Sequence, residues 1–117
     1  MTKIRNLTPH DIVVFREDGA ITTFYKDPLI PAARVRSYVA AALPPIIVDG
    51  RDFKSSIIKY GETENLPELQ GYCWLIVSGA VRLANPERKD LISPDTGETA
   101  VRDDSGQIVG VKGFLRN

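Results

Sequence analysis

The sequence predicts a mainly-β or α+β fold, a small single-domain barrel or sandwich of about eight short strands with one short helix. Nine glycines and eight prolines divide the chain into short segments, which favours strands over long helices. Runs of β-branched and aromatic residues alternate with turn signals. The 117 residues are the length of one domain, so residues 1–117 are predicted to form a single globular unit.

The first half of the chain contains a hairpin followed by less regular segments. Residues 12–15 predict a strand that ends at an Asp-Gly turn, and residues 20–25 predict its return strand. Residues 32–39 alternate small or apolar residues with polar ones, which predicts a half-buried strand; a short helix is the alternative. Pro44 and Pro45 are predicted to break the chain, because proline cannot donate a hydrogen bond within a central strand.

The middle of the chain contains the most apolar run. Residues 46–48 predict a short strand before a second Asp-Gly hairpin signal, and residues 53–60 alternate again. Residues 61–71 predict a polar loop, the best candidate for a ligand-facing segment. Residues 72–77 predict the central strand of a sheet.

The C-terminal part predicts the only helix. Residues 79–85 can form one, with Ser78 as its N-cap and a proline at residue 86 ending it. A short strand follows at residues 91–93. Residues 99–102 and 107–111 flank a four-residue loop containing glycine, which predicts another hairpin.

Composition excludes several classes of function. Fifteen basic and fifteen acidic residues cancel, so there is no electrostatic reason to expect a nucleic-acid partner. One Cys and one His exclude an intrachain disulfide and leave too few ligands for a Cys/His zinc site. No phosphate-loop or hydrolase motif occurs, and we expect no cofactor and no metal. Without a signal-peptide or membrane-spanning stretch, we expect a cytoplasmic protein with no membrane partner.

His10 and two arginines are the first candidate functional groups. His10 is the only side chain that ordinarily titrates near neutrality, and Asp11 beside it can orient the ring of a general base. The structural alternative is a local turn whose side chains satisfy backbone groups. Arg34 and Arg36 share one face of the predicted strand, where they can clamp a phosphate or simply form a solvated surface.

Two arginine–aspartate pairs complete the set. Arg88 lies two residues before Asp90, and Arg102 directly precedes Asp103. If the ligand is of the nucleotide type, the arginines would bind its phosphate and the aspartates would bind its ribose hydroxyls. The alternative is a structural role, in which such pairs pin the C-terminal hairpin to the rest of the molecule.

The segment Asn-Leu-Thr-Pro-His-Asp-Ile at residues 6–12 is the most specific motif of the chain. It resembles the opening of a widespread family of small phage, prophage and bacterial proteins with an N-terminal NLTPHxI motif and a C-terminal RxDL…P…VRDxxGxIxG motif. The resemblance is weakest over residues 40–70 and implies no established activity. The match continues at residues 33–35, 76–78, Val81, residues 86–91, Pro94, residues 101–103, Gly106, Ile108 and Gly110.

This resemblance implies a phage context, in which small proteins often inhibit a defence protein or sequester a signalling nucleotide. The first hypothesis is therefore a non-enzymatic protein of the host cytoplasm that binds a small phosphorylated nucleotide-type ligand, as a signal sponge or in an anti-defence role. One alternative is a protein–protein interaction module that inhibits a host or phage protein. The other is a hydrolase of a nucleotide signal that depends on His10. A homo-oligomer is expected for the first hypothesis, with the ligand at a subunit interface. The predicted ligand-binding residues are Asn6, Thr8, His10, Arg34, Arg88, Asp90, Arg102 and Asp103.

Overall fold

Ten strands and one short helix are found in residues 3–69 and 71–117, the parts of the chain that the computed structural model describes. This confirms a mainly-β fold with one short helix. No helix in these two ranges is long and apolar enough to span a membrane. The elements are β1 Lys3–Asn6, β2 Ile12–Phe15, β3 Ile21–Phe24, β4 Arg34–Val48, β5 Arg51–Glu64, β6 Cys73–Ile76, α1 Gly79–Ala84, β7 Leu91–Pro94, β8 Ala100–Arg102, β9 Ile108–Val111 and β10 Phe114–Arg116.

The first four-stranded sheet has the strand order β1-β6-β7-β10. β6 is parallel to both β1 and β7, and β10 is antiparallel to β7. The parallel strands β6 and β7 are connected through α1, since a parallel pair needs a crossover connection. The position of β6 between two neighbours confirms the prediction of a central strand at residues 72–77.

The second four-stranded sheet joins two hairpins in the order β3-β2-β9-β8. Both hairpins, β2–β3 and β8–β9, agree with the sequence prediction. They meet through a short parallel contact in which Val14 is paired with Val111. Neither sheet closes on itself, so no closed barrel forms among the described residues.

The hydrophobic core lies where α1 packs against the first sheet. The Ser78 hydroxyl caps the helix by accepting a hydrogen bond from the Val81 N–H at 3.2 Å. Val81 on this helix is fully buried. It belongs to a cluster whose other buried members are Leu7, Ala33, Leu75, Val77 and Leu91.

Strands β4 and β5 form a long hairpin, residues 34–64, which we call the arm; the rest of the molecule is the body. Fifteen residues of β4 at about 3.3 Å per residue extend for about 50 Å, which accounts for the 56 Å long axis of the molecule. At the tip, Asp49 and Gly50 have φ angles of 52° and 74°, as a type I′ turn requires. The radius of gyration is 17.5 Å, whereas a compact chain of this length has about 13 Å.

The arm is where the sequence predictions of local structure are wrong. Pro44 and Pro45 do not end the strand: they lie within β4, where two β4 residues oppose a single β5 residue between the paired positions Leu43 and Ile46. A two-stranded hairpin has no central strand, so a proline in an irregular stretch of its edge is tolerated. The helix alternative for residues 32–39 is likewise wrong, and residues 61–64 of the predicted loop belong to β5.

Candidate functional site

The side chains of Asn6 and Thr8 form a buried polar junction between the two four-stranded sheets. The Asn6 side-chain amide donates hydrogen bonds to the carbonyls of His10 and Phe24, both at 2.8 Å. Its Oδ1 accepts from the Thr8 N–H at 3.0 Å and from the Thr8 hydroxyl at 2.7 Å. Asn6 is only 2% exposed, so these bonds connect β1 to the end of β3 within the protein interior.

His10 and Asp11 lie next to this junction but have separate surroundings. Both are exposed and line a cleft of about 320 Å³ that Thr96 and Gly110 also border. The Asp11 carboxylate accepts a hydrogen bond from the Lys26 N–H at 2.9 Å. Among the described residues, no hydrogen bond joins the His10 ring to Asp11. The orienting carboxylate of a general base is therefore not in place, and a catalytic role for His10 stays a prediction.

Arg88 and Asp90 form a bidentate ion pair at the edge of the body. Nε and Nη2 of Arg88 donate to the two carboxylate oxygens of Asp90 at 2.9 and 2.8 Å. Nη2 also donates to the Pro67 carbonyl at 2.8 Å. The hydrogen bond to Asp90 raises the pKa of the Arg88 guanidinium. With both oxygens of the buried Asp90 engaged, the pair ties the segment around Pro67 to the residues that follow α1.

Arg102 and Asp103 form contacts within their own hairpin. The Arg102 guanidinium donates to the Gly106 carbonyl at 2.6 Å. The Asp103 carboxylate accepts from the Ser105 hydroxyl at 2.7 Å and from the N–H groups of Ser105 and Gln107, both at 3.0 Å. The pKa of Asp103 is lowered chiefly by the Ser105 hydroxyl and by the Gln107 N–H. These contacts shape the β8–β9 turn; they do not connect it to another part of the body.

Arg34 and Arg36 lie at the base of the arm. They line a cleft of about 440 Å³ together with Glu62 and Glu64 of the neighbouring strand. Within residues 3–69 and 71–117, neither arginine has a carboxylate oxygen within 4.0 Å. The predicted ligand-binding residues thus occupy four places: the Asn6 junction, the Arg88–Asp90 pair, the β8–β9 turn and the arm base. No hydrogen bond or ion pair between described residues joins one place to another.

The exposed apolar side chains of the arm are the largest feature of the structure that the predicted ligand-binding residues do not include. They are between 39% and 68% exposed, whereas ordinary core residues of the body are below 9%. The signal was present at residues 46–48, three consecutive β-branched residues that cannot all point toward one core. The exposed residues are Tyr38, Val39, Leu43, Ile46, Ile47, Val48, Phe53, Ile57, Ile58 and Tyr60.

Both faces of the arm carry these apolar residues. Ile46 is paired with Phe53, and side chains of directly paired residues project from the same face. Ile47, the next residue along β4, projects from the opposite face because successive side chains alternate. Closer to the base, Val39 is paired with Ile58 in the same manner. Apolar residues are therefore exposed on both faces of the arm, whereas a surface hairpin normally exposes them on neither.

No similarity to a known protein adds to these structural observations. No protein-family model matches the chain, and neither the curated proteins nor the solved structures that were searched gave a significant match. Over the described residues, no three His, Cys, Asp or Glu side chains are grouped as a metal site would require.

Proposed function

We propose that this protein is a protein–protein interaction module that docks through its arm. The observation that carries the proposal is the exposed apolar surface on both faces of residues 34–64. Contiguous apolar patches of this kind are rare on monomeric proteins and mark interaction sites.

The energetics of an isolated hairpin support the same proposal. A two-stranded hairpin without a third strand or a packed face is marginally stable in water. Among the described residues, the arm contacts the body near its base, where the Asn85 side chain donates to the Thr63 hydroxyl at 2.8 Å and Val35 packs against the core. Covering the apolar side chains beyond that point would stabilise the arm by about 25 cal/mol for each Å² removed from water.

Photo-crosslinking in cells tests the proposal directly. A photoreactive amino acid replaces Ile58, an exposed residue of β5, in one variant and Glu17, an exposed residue of the β2–β3 turn, in a matched control. We expect covalent adducts of defined mass from position 58 and none from position 17. Absence of adducts at position 58, or equal labelling of both positions, would contradict docking through the arm.

An arm-shortened variant shows whether the arm also has a structural role. It replaces residues 36–62 by Asn-Gly, which joins the paired residues Val35 and Thr63 through a two-residue turn. Because the buried core cluster lies entirely in the body, we expect this variant to unfold at a melting temperature close to that of the intact chain. It should also lose every partner that the arm binds.

Binding of a phosphorylated nucleotide is the second candidate function, and one observation favours it. Arg34 and Arg36 line the cleft at the arm base without an ion-pair partner among the described residues. A ligand at a hundred times its Kd would stabilise the protein by about 2.7 kcal/mol. Thermal-shift measurements with cyclic nucleotides and ADP-ribose test this binding, with Arg34→Ala/Arg36→Ala as the control. Since Glu62 and Glu64 line the same cleft, the interaction module is the better supported function.

A further inference from the structure

The surface area of the chain shows how much more it exposes than a compact domain of the same mass. The accessible surface is 8576 Å², whereas a compact monomer of 12.9 kDa exposes about 6,300 Å². The excess of roughly 2,300 Å² accompanies the extended arm, whose faces and outer edges have no cover among the described residues.

The two long edges of the arm differ in their capacity to pair with another strand. β5 runs from Arg51 to Tyr60 without an inserted residue and contains no proline. β4 has extra residues opposite β5 at two points, and Pro44 and Pro45 interrupt its row of N–H donors. The regular edge of β5 can therefore form a continuous ladder, whereas the edge of β4 cannot.

We propose that the partner of the arm is a second copy of this chain, which adds its β5 to the β5 edge in antiparallel orientation about a two-fold axis. This inference rests on the proposed function of the arm as a docking element. The product is a four-stranded sheet in which both β5 strands are central and both β4 strands are outer. The prolines of β4 then lie at the two free edges, where they prevent a further chain from adding, so the assembly closes as a dimer.

The chemistry of β5 favours pairing with itself. Its middle, residues 55–58, is Ser-Ser-Ile-Ile and carries no charge, so the two copies meet there without like charges in direct opposition. Ile57 and Ile58 are consecutive and project from opposite faces of the sheet. With Ser56 opposite its own copy, Ile57 lies opposite Ser55 of the second copy and Ile58 lies opposite its Lys54, so each isoleucine gains a cross-strand neighbour.

Sedimentation equilibrium of the intact chain over a concentration series tests this inference. We expect a mass of twice 12.9 kDa. Ser56→Asp places a carboxylate opposite its own copy near the two-fold axis and should weaken dimerisation by on the order of five- to tenfold. The control is Ala42→Asp: Ala42 is the cross-strand partner of Ser56 in the hairpin, so this variant adds the same charge at the same height on the β4 edge. It should dimerise like the wild type.

A mixture of Ser56→Asp and Ser56→Lys chains gives a second, independent readout. Opposite charges then face each other across the axis, and we expect a dimer of one chain of each kind to re-form. A monomeric wild-type chain, open-ended polymers, or equal effects of the two Asp substitutions would overturn the inference. If the wild type is monomeric while position 58 still crosslinks to a different protein, pairing with a second copy is wrong and the proposed function stands. A monomer without any crosslinks would contradict both.

Discussion

The body and the arm use the same apolar residue types, and they differ in what covers them. Ile76 in the centre of the first sheet is 0% exposed, whereas Ile47 near the arm tip is 68% exposed. Both residues lie in strands with favourable β-propensity. The contrast shows that an apolar strand pattern does not reveal whether its residues are buried. In the body another sheet or helix covers them, whereas no described residue covers Ile47 to the same degree.

The largest effect is expected from truncating the same residue type in the two regions. Ile76→Ala should lower the free energy of unfolding by about 2–5 kcal/mol, because it removes buried methyl groups and leaves a cavity. Ile47→Ala should change it by less than about 0.5 kcal/mol in the monomer. Urea denaturation of both variants measures the difference. Equal losses would contradict the division into a body with a core and an arm without one.

A second test adds a methyl group in each region. A Cβ on Gly110 would lie 2.5 Å from Cε2 of Phe15 and 2.8 Å from the Val13 carbonyl oxygen, so Gly110→Ala should destabilise by about 1–3 kcal/mol. A Cβ on Gly61 in the arm meets only the Arg36 carbonyl oxygen at 3.6 Å, an ordinary contact. Gly61→Ala should therefore be nearly neutral. Thermal unfolding of the two variants distinguishes a close-packed sheet from an open hairpin.

Substitutions of polar residues test the same difference between the body and the arm, with a somewhat smaller expected change in the free energy of unfolding. Asn6→Ala leaves the carbonyls of His10 and Phe24 without their amide donor, which should cost about 1–2 kcal/mol. Ser56→Ala in the exposed arm should cost less than about 0.5 kcal/mol. If Asn6 instead served only a ligand, Asn6→Ala would leave unfolding in denaturant unchanged and abolish ligand-induced stabilisation.

The smallest expected effect is on how the stability of the protein depends on pH. Backbone hydrogen bonds from Leu29 and Ile30 hold the pKa of Asp27 below its ordinary value of 3.8. A carboxyl whose pKa is lowered by folding stabilises the protein above the unfolded pKa, and this contribution is lost as the pH falls through the folded pKa. Asp27→Asn should therefore lose less stability than the wild type between about pH 5 and pH 2.

Denaturation curves at successive pH values measure this, with Asp104→Asn as the control. The Asp104 carboxylate accepts none of the hydrogen bonds found among the described residues, so its replacement removes a carboxyl group without removing such a contact. A steeper acid limb for Asp27→Asn would contradict a stabilising role for these turn contacts in the body.

Local features of the fold could be predicted, and distant ones could not. The β2–β3 hairpin and the cap of α1 by Ser78 follow from a few adjacent residues, and both were predicted correctly. The parallel pairing of β1 with β6 joins residues about 70 positions apart and leaves no local signal. The prediction divided the arm into several short strands because Pro44 and Pro45 ordinarily interrupt a strand. The exposure of the arm could not be predicted either, because the periodicity of an exposed hairpin resembles that of a buried one.

In the candidate site, too, local contacts could be predicted and distant contacts could not. The proximity of Arg88 to Asp90 could be predicted, since two residues separated by one position can meet across a single turn of backbone. Whether Arg34, Arg88 and Arg102 converge depends on the arrangement of three separate elements, which no spacing in the sequence encodes. The exposure of the apolar residues in the arm is likewise a property of the assembled molecule.

The order in which strands pair has a consequence for synthesis of the chain. The second sheet cannot be completed until β9 is available, because Val14 is paired with Val111. The arm needs only its own residues, and hairpins close within microseconds. During synthesis from the N-terminus, all the residues of the arm are therefore available before the strands that complete the body.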